Sequence, residues 1–441
     1  MNYLSKILVI TSALAISSLS LVKAEVSFST LDDVKNISGE NFYEYIRLTV
    51  IQQPEFSSAK AKQNEYNQNK KYAQRLRFPT ITASIINDES ISREVDDFTS
   101  IRKRRDDSFD GVIKIDQPIY SGNEITSKIK KARFGLDVAK EEFYEASSSL
   151  ILTASQIYIE TATADILSKY VTSQLDLLLK YKDLAEKRFQ SGAIDISELS
   201  SIKIQLSELE AKEAILVARS IQKLEVFSSF FKEPFQNNGV PSILLSEVTS
   251  DRSNQEEYGS YGKRIASLQV KGKESDLAIT KSTYRPKLGL SFRYTKYDID
   301  DDGKDEDLRG GLTFSVPLFN FGRGSAEVGA AKARVSQSKF NYNQIIRDEE
   351  KIRADIFGSA IGIIQARSKI SDSLESIKLQ KEMLNLRISS SDFLITGIIN
   401  ATIQEVNLLE QLLSSESQLL MLELQASHLN RRLLSQFSIS F

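Results

Sequence analysis

The sequence contains no cysteine and no tryptophan, and it has only one histidine and seven prolines in 441 residues. Without cysteine there is no disulfide, no thiolate chemistry and no lipid on an N-terminal cysteine, so an exported form would need a large core or assembly for stability. A single histidine excludes a multi-histidine metal site, and the chain has no Gly-x-Ser-x-Gly or metalloprotease motif. We therefore expect a protein that is not an enzyme and needs no cofactor or metal.

Long apolar runs and an excess of positive charge are also missing. After residue 24 no run of about 18 apolar residues occurs, which excludes a membrane-spanning helix. The formal net charge is −2, without the basic excess expected for nucleic-acid binding. Residues 1–24 read as a secretory signal peptide, in which Lys6 precedes an apolar segment that ends at Val22-Lys23-Ala24. Its removal leaves 55 basic and 59 acidic residues in an exported chain that is not lipidated.

What the sequence does contain is a duplication. The segment Arg77-Phe78-Pro79-Thr80-Ile81 corresponds to Tyr284-Arg285-Pro286-Lys287-Leu288, about 200 residues later. A second proline segment follows each copy, Asp116-Gln117-Pro118 in the first half and Ser315-Val316-Pro317 in the second. Because proline interrupts regular structure, these four prolines are predicted boundaries of β-strands. A duplication of this size predicts a pseudo-symmetric fold.

Alternating residues predict strands at about 78–92, 107–120, 285–297 and 307–319. In the third strand, for example, Leu290 and Phe292 face one side while Ser291 and Arg293 face the other. Strands of about ten residues with one apolar face fit a transmembrane β-barrel, and the alternative is the half-buried strands of a soluble sandwich. Four strands cannot close a barrel, and lipid does not tolerate open edges, so the chain would have to assemble. Three copies would supply twelve strands.

Each predicted strand pair is followed by segments with helical spacing and almost no proline or glycine. The helices are predicted at about 123–190 and 194–231, and at about 323–390 and 401–435, with turns at Gly192 and Gly397. The longest would measure roughly 95–100 Å, which favours a coiled-coil-like bundle over a globular core. The predicted division is a signal peptide at 1–24, repeats at 25–230 and 255–441, and an inter-repeat segment at 231–254.

The duplicated hairpins, together with Arg188-Phe189-Gln190-Ser191-Gly192-Ala193-Ile194-Asp195, resemble the TolC family of outer-membrane efflux proteins. The resemblance covers nearly the whole mature chain. It implies a homotrimer with a twelve-stranded β-barrel in outer-membrane lipid, continuous with a periplasmic α-helical barrel. It also implies a passive exit duct of a tripartite efflux pump or type I secretion system, opened by an inner-membrane transporter and a periplasmic adaptor.

The resemblance further implies acidic rings at the periplasmic entrance. Glu198 matches the family position, with Asp195 and Arg188 beside it, and Glu405 is the match in the second half. The second half departs from the family pattern in three ways. Two extra residues follow Gly397. Ile399 stands near the position where a basic residue is expected, and Leu408 replaces an acid. Three carboxylates on a narrow axis would attract cations. The alternative for Glu198 is a solvated acid in the first turn of a helix.

Other features have ordinary interpretations. The segment Asp298-Ile299-Asp300-Asp301-Asp302-Gly303 begins like a calcium loop, but Arg309 stands where a bidentate Glu is required. Arg102-Lys103-Arg104-Arg105 could meet anionic lipopolysaccharide, although a solvated loop is expected, and His428 is expected to be packed or solvated. The C-terminal Phe437-Ser438-Ile439-Ser440-Phe441 resembles a barrel-insertion signal, yet the duplication places no strand there.

Two other classes of function are compatible with parts of the sequence. A non-channel periplasmic coiled-coil adaptor or scaffold would be water-soluble, whereas the alternating strands predict a need for detergent. An exported enzyme would require a cleft with convergent titratable groups, which the sequence does not offer. The cargo of a channel, whether drugs, metal ions or secreted proteins, is not specified by any motif.

Overall fold

The computed structural model describes residues 40–89, 107–237, 259–297, 299, 306–387 and 394–439. The predicted signal peptide, the basic segment 102–105, nearly all of the acidic segment 298–303 and most of the inter-repeat segment lie outside the described residues. Within them, no helix is both long enough and apolar enough to cross a bilayer. The predicted mainly helical fold with a small β part is confirmed. Its elements are α1 (Glu40–Gln52), α2 (Pro54–Arg75), β1 (Thr80–Glu89), β2 (Asp107–Tyr120), α3 (Glu124–Gln190), α4 (Ile196–Phe231), α5 (Tyr261–Ser282), β3 (Lys287–Lys296), β4 (Glu306–Ser315), α6 (Arg323–Arg387), α7 (Leu394–Leu429) and α8 (Leu433–Gln436).

The chain divides into two compact units that do not follow the predicted repeats. One unit comprises Met1–Gln53, Ser147–Gly259 and Lys351–Phe441, and the other comprises Pro54–Ala146 and Ser260–Glu350. Each unit therefore draws on both halves of the sequence. The physical reason is that an amphipathic helix must cover its apolar stripe, and here that stripe packs on helices from the other half of the duplication.

The second unit contains one antiparallel sheet with the strand order β1-β2-β3-β4. Strand pairs in register include Ile81↔Ile115 and Phe292↔Gly310. Because side chains alternate across a strand, this register collects the apolar residues on one face of the sheet and the polar residues on the other. The apolar face carries Ile81, Ala83, Ile85, Phe109, Ile113, Ile115, Leu288, Leu290, Phe292, Tyr294, Leu308, Leu312 and Phe314.

The four boundary prolines do not all occupy equivalent places. Pro79 and Pro286 come directly before β1 and β3, where the missing N–H costs no ladder hydrogen bond. Pro118 lies inside β2, where the register with β3 shifts between Pro118 and Tyr120. Such an irregularity accommodates a residue that cannot donate to the ladder. Pro317 lies beyond β4, which ends at Ser315, earlier than predicted.

The first unit contains a helix bundle. It is made by α4 and α7 together with the larger, C-terminal parts of α3 and α6. Its main apolar core includes Val171, Leu178, Leu206, Leu209 and Val406, all almost inaccessible to solvent. Cross-helix contacts join the two halves of the sequence, since Thr163 Oγ1 lies 2.9 Å from Ser417 Oγ and Lys212 Nζ lies 2.9 Å from Glu410 Oε2. A bundle held this way cannot be separated into two independent repeats.

An aromatic cluster joins α1 and the C-terminal segment to the same unit. Tyr158 of α3 is fully buried, with its ring centroid 5.2 Å from that of Phe42 and 6.2 Å from that of Phe227. Phe437 follows α8, and its ring centroid lies 6.0 Å from that of Phe42 and 4.9 Å from that of Tyr43. The described part of the C-terminal segment is therefore packed against a helix bundle and does not form a strand.

Helix α7 differs most from its predicted bounds, because it begins at Leu394 and ends at Leu429. Gly397 consequently lies inside the helix and not in a turn before it. A Cβ built at Gly397 would lie 3.5 Å from the side chain of Leu384, which is an ordinary van der Waals contact. Ile395, Ile398 and Ile399 are also buried, and their 3–4 residue spacing supplies the apolar face that starts the helix seven residues early.

Candidate functional site

The turn between α3 and α4 holds three of the predicted entrance residues. Gly192 has a φ of +76°, which favours glycine, while the space around it is open. The N–H of Ala193 donates to the carbonyl of Arg188 at 2.8 Å and closes the end of α3. Asp195 is the N-cap of α4, because its Oδ1 accepts from the N–H of Glu198 at 2.8 Å. The structure thus brings Arg188, Asp195 and Glu198 together at one helical turn.

Glu198 is half-buried in the first turn of α4, beside the buried Leu199. Its Oε1 atom is inaccessible to solvent and has no hydrogen-bond partner within the described part of the chain. An unsatisfied buried carboxylate oxygen is costly, so in a native protein it normally has a partner or a bound water. This environment differs from the fully solvated acid that was the alternative for this position.

Glu405, predicted as the second entrance acid, is 5 % exposed and lies inside the helix bundle. Lys381 of α6 donates to Glu405 Oε2 at 2.7 Å and to Gln174 Oε1 at 2.6 Å. Burial raises the pKa of the Tyr170 hydroxyl, and the neighbouring Glu405 carboxylate raises it further. Membership of an acidic ring stays a prediction for Glu405, whose buried lysine partner the sequence analysis missed.

Lys381 belongs to a regular series of basic residues along α6. Arg353, Arg367 and Lys381 are spaced by 14 residues, and each reaches an oxygen on or just beyond the antiparallel α7. The contacts are Arg353 Nη1 to Asn430 Oδ1 at 2.6 Å, Arg367 Nε to Glu416 Oε1 at 3.4 Å, and the Lys381–Glu405 pair. Fourteen residues are two heptads, so the three side chains return to the same face of the helix. This period is visible in the sequence and could have identified the buried partner of Glu405.

The middle pair of this series has an unusual carboxyl group. The Glu416 side chain is 8 % exposed, and burial raises its pKa to about 7, although the nearby Arg367 guanidinium acts in the opposite direction.

A second buried titratable group, His428, has its Nδ1 2.7 Å from Ser148 Oγ, and burial lowers its pKa. His428 is therefore packed. Over the described ranges, no group of three or more His, Asp or Glu residues is placed to hold a metal ion.

Part of the chain matches a known family of proteins. Residues 46–223 match the family model described as outer membrane efflux protein. The fold is shared with the outer membrane protein VceC of Vibrio cholerae, at 17 % identity over 88 % of this chain and 96 % of that chain, with a TM-score of 0.73. It is also shared with the CmeC outer membrane channel of Campylobacter jejuni, at 13 % identity, 89 % and 86 % coverage and a TM-score of 0.72.

A third solved structure, the open state of the MtrE outer membrane channel of Neisseria gonorrhoeae, matches at 14 % identity. It covers 89 % of each chain with a TM-score of 0.68. Comparison with curated proteins gave no match. The resemblance to the TolC family is confirmed by the family model and by these channel folds. Residues 46–223 thus match the outer membrane efflux protein family, and the chain shares the fold of TolC-type channels.

Proposed function

We propose that three copies of this chain form a channel in the outer membrane. Their four-stranded sheets would close a twelve-stranded β-barrel, and their long helices would form an α-helical barrel in the periplasm. The observation that carries this proposal is the isolated sheet, because within the described residues β1 and β4 each pair with only one strand. Unpaired sheet edges are not tolerated in lipid, whereas β4 of one copy could pair antiparallel with β1 of the next.

The exposed apolar face of the sheet supports the same assembly. Leu308, Leu312 and Phe314 of β4 are 74 %, 64 % and 67 % exposed, and Ile81 of β1 is 67 % exposed. An apolar surface of this kind on a soluble monomer would favour aggregation, but in a barrel it would face lipid. The polar face would then line a water-filled interior. In a soluble sandwich, by contrast, a second apolar layer would have to cover the apolar face of the sheet.

The role we assign to the channel is a passive exit duct. The family-model match over residues 46–223 and the folds shared with VceC, CmeC and MtrE support an outer-membrane conduit. We infer that it serves a tripartite efflux pump or a type I secretion system, and that an inner-membrane transporter and a periplasmic adaptor open it. Energy would come from the transporter.

The proposal is tested by purifying the protein from outer membranes in detergent and measuring its mass by native mass spectrometry. A homotrimer that forms discrete conducting pores in planar bilayers is expected. A water-soluble monomer or dimer that needs no detergent would refute the channel and support the periplasmic adaptor or scaffold instead. Single-particle imaging of the same sample would show whether the barrel and the helical tunnel are continuous.

We also propose that Glu198 forms an acidic ring at the entrance, with Asp195 and Arg188 beside it, and that Glu405 is the corresponding acid of the second half. The substitution Glu198→Gln is expected to shift the reversal potential in a KCl gradient towards anions, because three carboxylates would be removed from a narrow axis. The matched control is Glu208→Gln, which removes an exposed acid from another face of α4. Equal ion selectivity in the wild type and the Glu198 variant would exclude the ring.

A further inference from the structure

The polar face of the sheet carries three basic side chains at one level. Lys114 of β2 is directly opposite Arg293 of β3, and Arg293 is directly opposite Arg309 of β4. Directly opposed residues of antiparallel strands have Cα atoms about 4.5–5.5 Å apart. Like charges in such positions destabilise the sheet, so this row carries a cost unless an anion offsets it.

The two outer members of this basic row are neutralised within the chain, but the central one is not. Lys114 Nζ lies 2.8 Å from Asp116 Oδ2, and Arg309 Nε lies 2.6 Å from Asp307 Oδ2. Each of these acids is two residues along the strand from its basic partner. The residues two positions from Arg293 are Ser291 and Thr295, which carry no charge. Arg293 is exposed, and the described part of the chain gives it no ion pair.

Two acids lie diagonal to Arg293, because Asp116 is opposite Ser291 and Asp307 is opposite Thr295, and they pair with Lys114 and Arg309. The remaining described charges of the polar face lie farther from this row. Asp110 is four residues from Lys114 along β2, and Lys287 is six residues from Arg293 along β3. Lys287 Nζ is itself paired with Glu124 Oε2 at 2.6 Å. The guanidinium of Arg293 therefore lies between two ion pairs and carries the unbalanced positive charge of the row, with its five donors available to a ligand.

We propose that the basic row is an anion-binding site and that Arg293 is its central ligand. This inference rests on the proposed trimeric barrel, in which three rows at the same depth form a basic collar around the water-filled interior. Rings of arginine and lysine select anions in pores, and a guanidinium binds phosphate, sulfonate and carboxylate groups through two parallel hydrogen bonds. The collar takes multivalent organic anions. It gives the barrel a selectivity opposite in sign to the acidic entrance proposed for the helices.

The test uses the purified trimer in planar bilayers, with 1,3,6,8-pyrenetetrasulfonate as the probe. We expect the probe to block the wild-type current from the barrel side, and the block to weaken as KCl is raised because salt screens the charges. Arg293→Gln is expected to weaken the block about tenfold or more and to make the pore more cation-selective. Lys296→Gln is the matched control, since it removes one charge from the same strand on the opposite face.

The outcomes separate this inference from the function on which it rests. If the wild type conducts but the Arg293 variant shows the same block and the same selectivity, the anion site is refuted and the channel stands. If the wild type forms no pores, the channel fails and the collar fails with it. Arg309→Gln provides a second variant should Arg293→Gln assemble poorly, and it is also expected to weaken the block. Arg293→Lys should retain the selectivity of the wild type.

Discussion

Leu290→Arg is expected to remove the trimer from the outer membrane, whereas Ser291→Arg is expected to leave it in place. Both residues lie near the middle of β3, at nearly the same depth, but on opposite faces of the sheet. An arginine on the lipid face near the bilayer midplane costs about 2–4 kcal/mol per chain, and a trimer would carry three. The same side chain on the water-filled face retains its hydration. The measurement is the amount of trimer in outer-membrane fractions after urea extraction.

This pair of variants also distinguishes the competing arrangements of the sheet. Loss of the trimer with Ser291→Arg and its retention with Leu290→Arg would mean that the two faces are reversed. Normal behaviour of both variants would mean that the sheet does not lie in lipid, and the soluble adaptor or scaffold would then explain the protein better. The two changes introduce the same side chain at adjacent positions, so a general effect of arginine on expression should affect both.

Lys381→Met is expected to destabilise the helix bundle by about 3–5 kcal/mol, because it leaves the buried Glu405 carboxylate without its cation. In the wild type the two side chains are 19 % and 6 % exposed and 2.7 Å apart. The free energy of unfolding is measured by circular dichroism in detergent as a function of denaturant.

The matched control for this variant is Lys378→Met, which replaces an exposed lysine of the same helix by the same residue. It is expected to change stability by no more than about 0.5 kcal/mol. The double variant Lys381→Met with Glu405→Gln should recover part of the loss, because it removes the buried charge together with its partner. Equal stability of the two single variants would indicate that the pair does not support the bundle.

The sequence predicted the elements of this fold well, because alternation and helical spacing act over short distances. The strands and α3 lie within a few residues of their predicted bounds, and prolines marked the starts of β1 and β3. The start of α7 was missed because Gly397 was interpreted as a helix breaker. The buried side chains of Ile395, Ile398 and Ile399 pack in the bundle core, and this tertiary packing overrides the low helix propensity of glycine.

The candidate entrance was predictable only in part. The turn at Gly192 follows from local pattern, whereas the role of Glu198 is implied by the family resemblance and stays a prediction. The burial of Glu198 Oε1 and the pairing of Glu405 with Lys381 depend on which helices are neighbours and in what register. The division into two compact units was missed for the same reason. A duplicated sequence specifies similar elements, but not whether each copy folds on itself.

The series of basic residues on α6 has a consequence for how this bundle can change in length. Its contacts on α7 fall at positions 430, 416 and 405, separated by 14 and 11 residues, each close to a whole number of helical turns. Inserting two heptads into both helices together, between two neighbouring contacts, would therefore keep the existing basic residues facing their acceptors. A change of one or two residues would rotate the charges away from their partners and onto apolar neighbours. The series of basic residues on α6 therefore favours changes in the length of the bundle by pairs of heptads over changes by single residues.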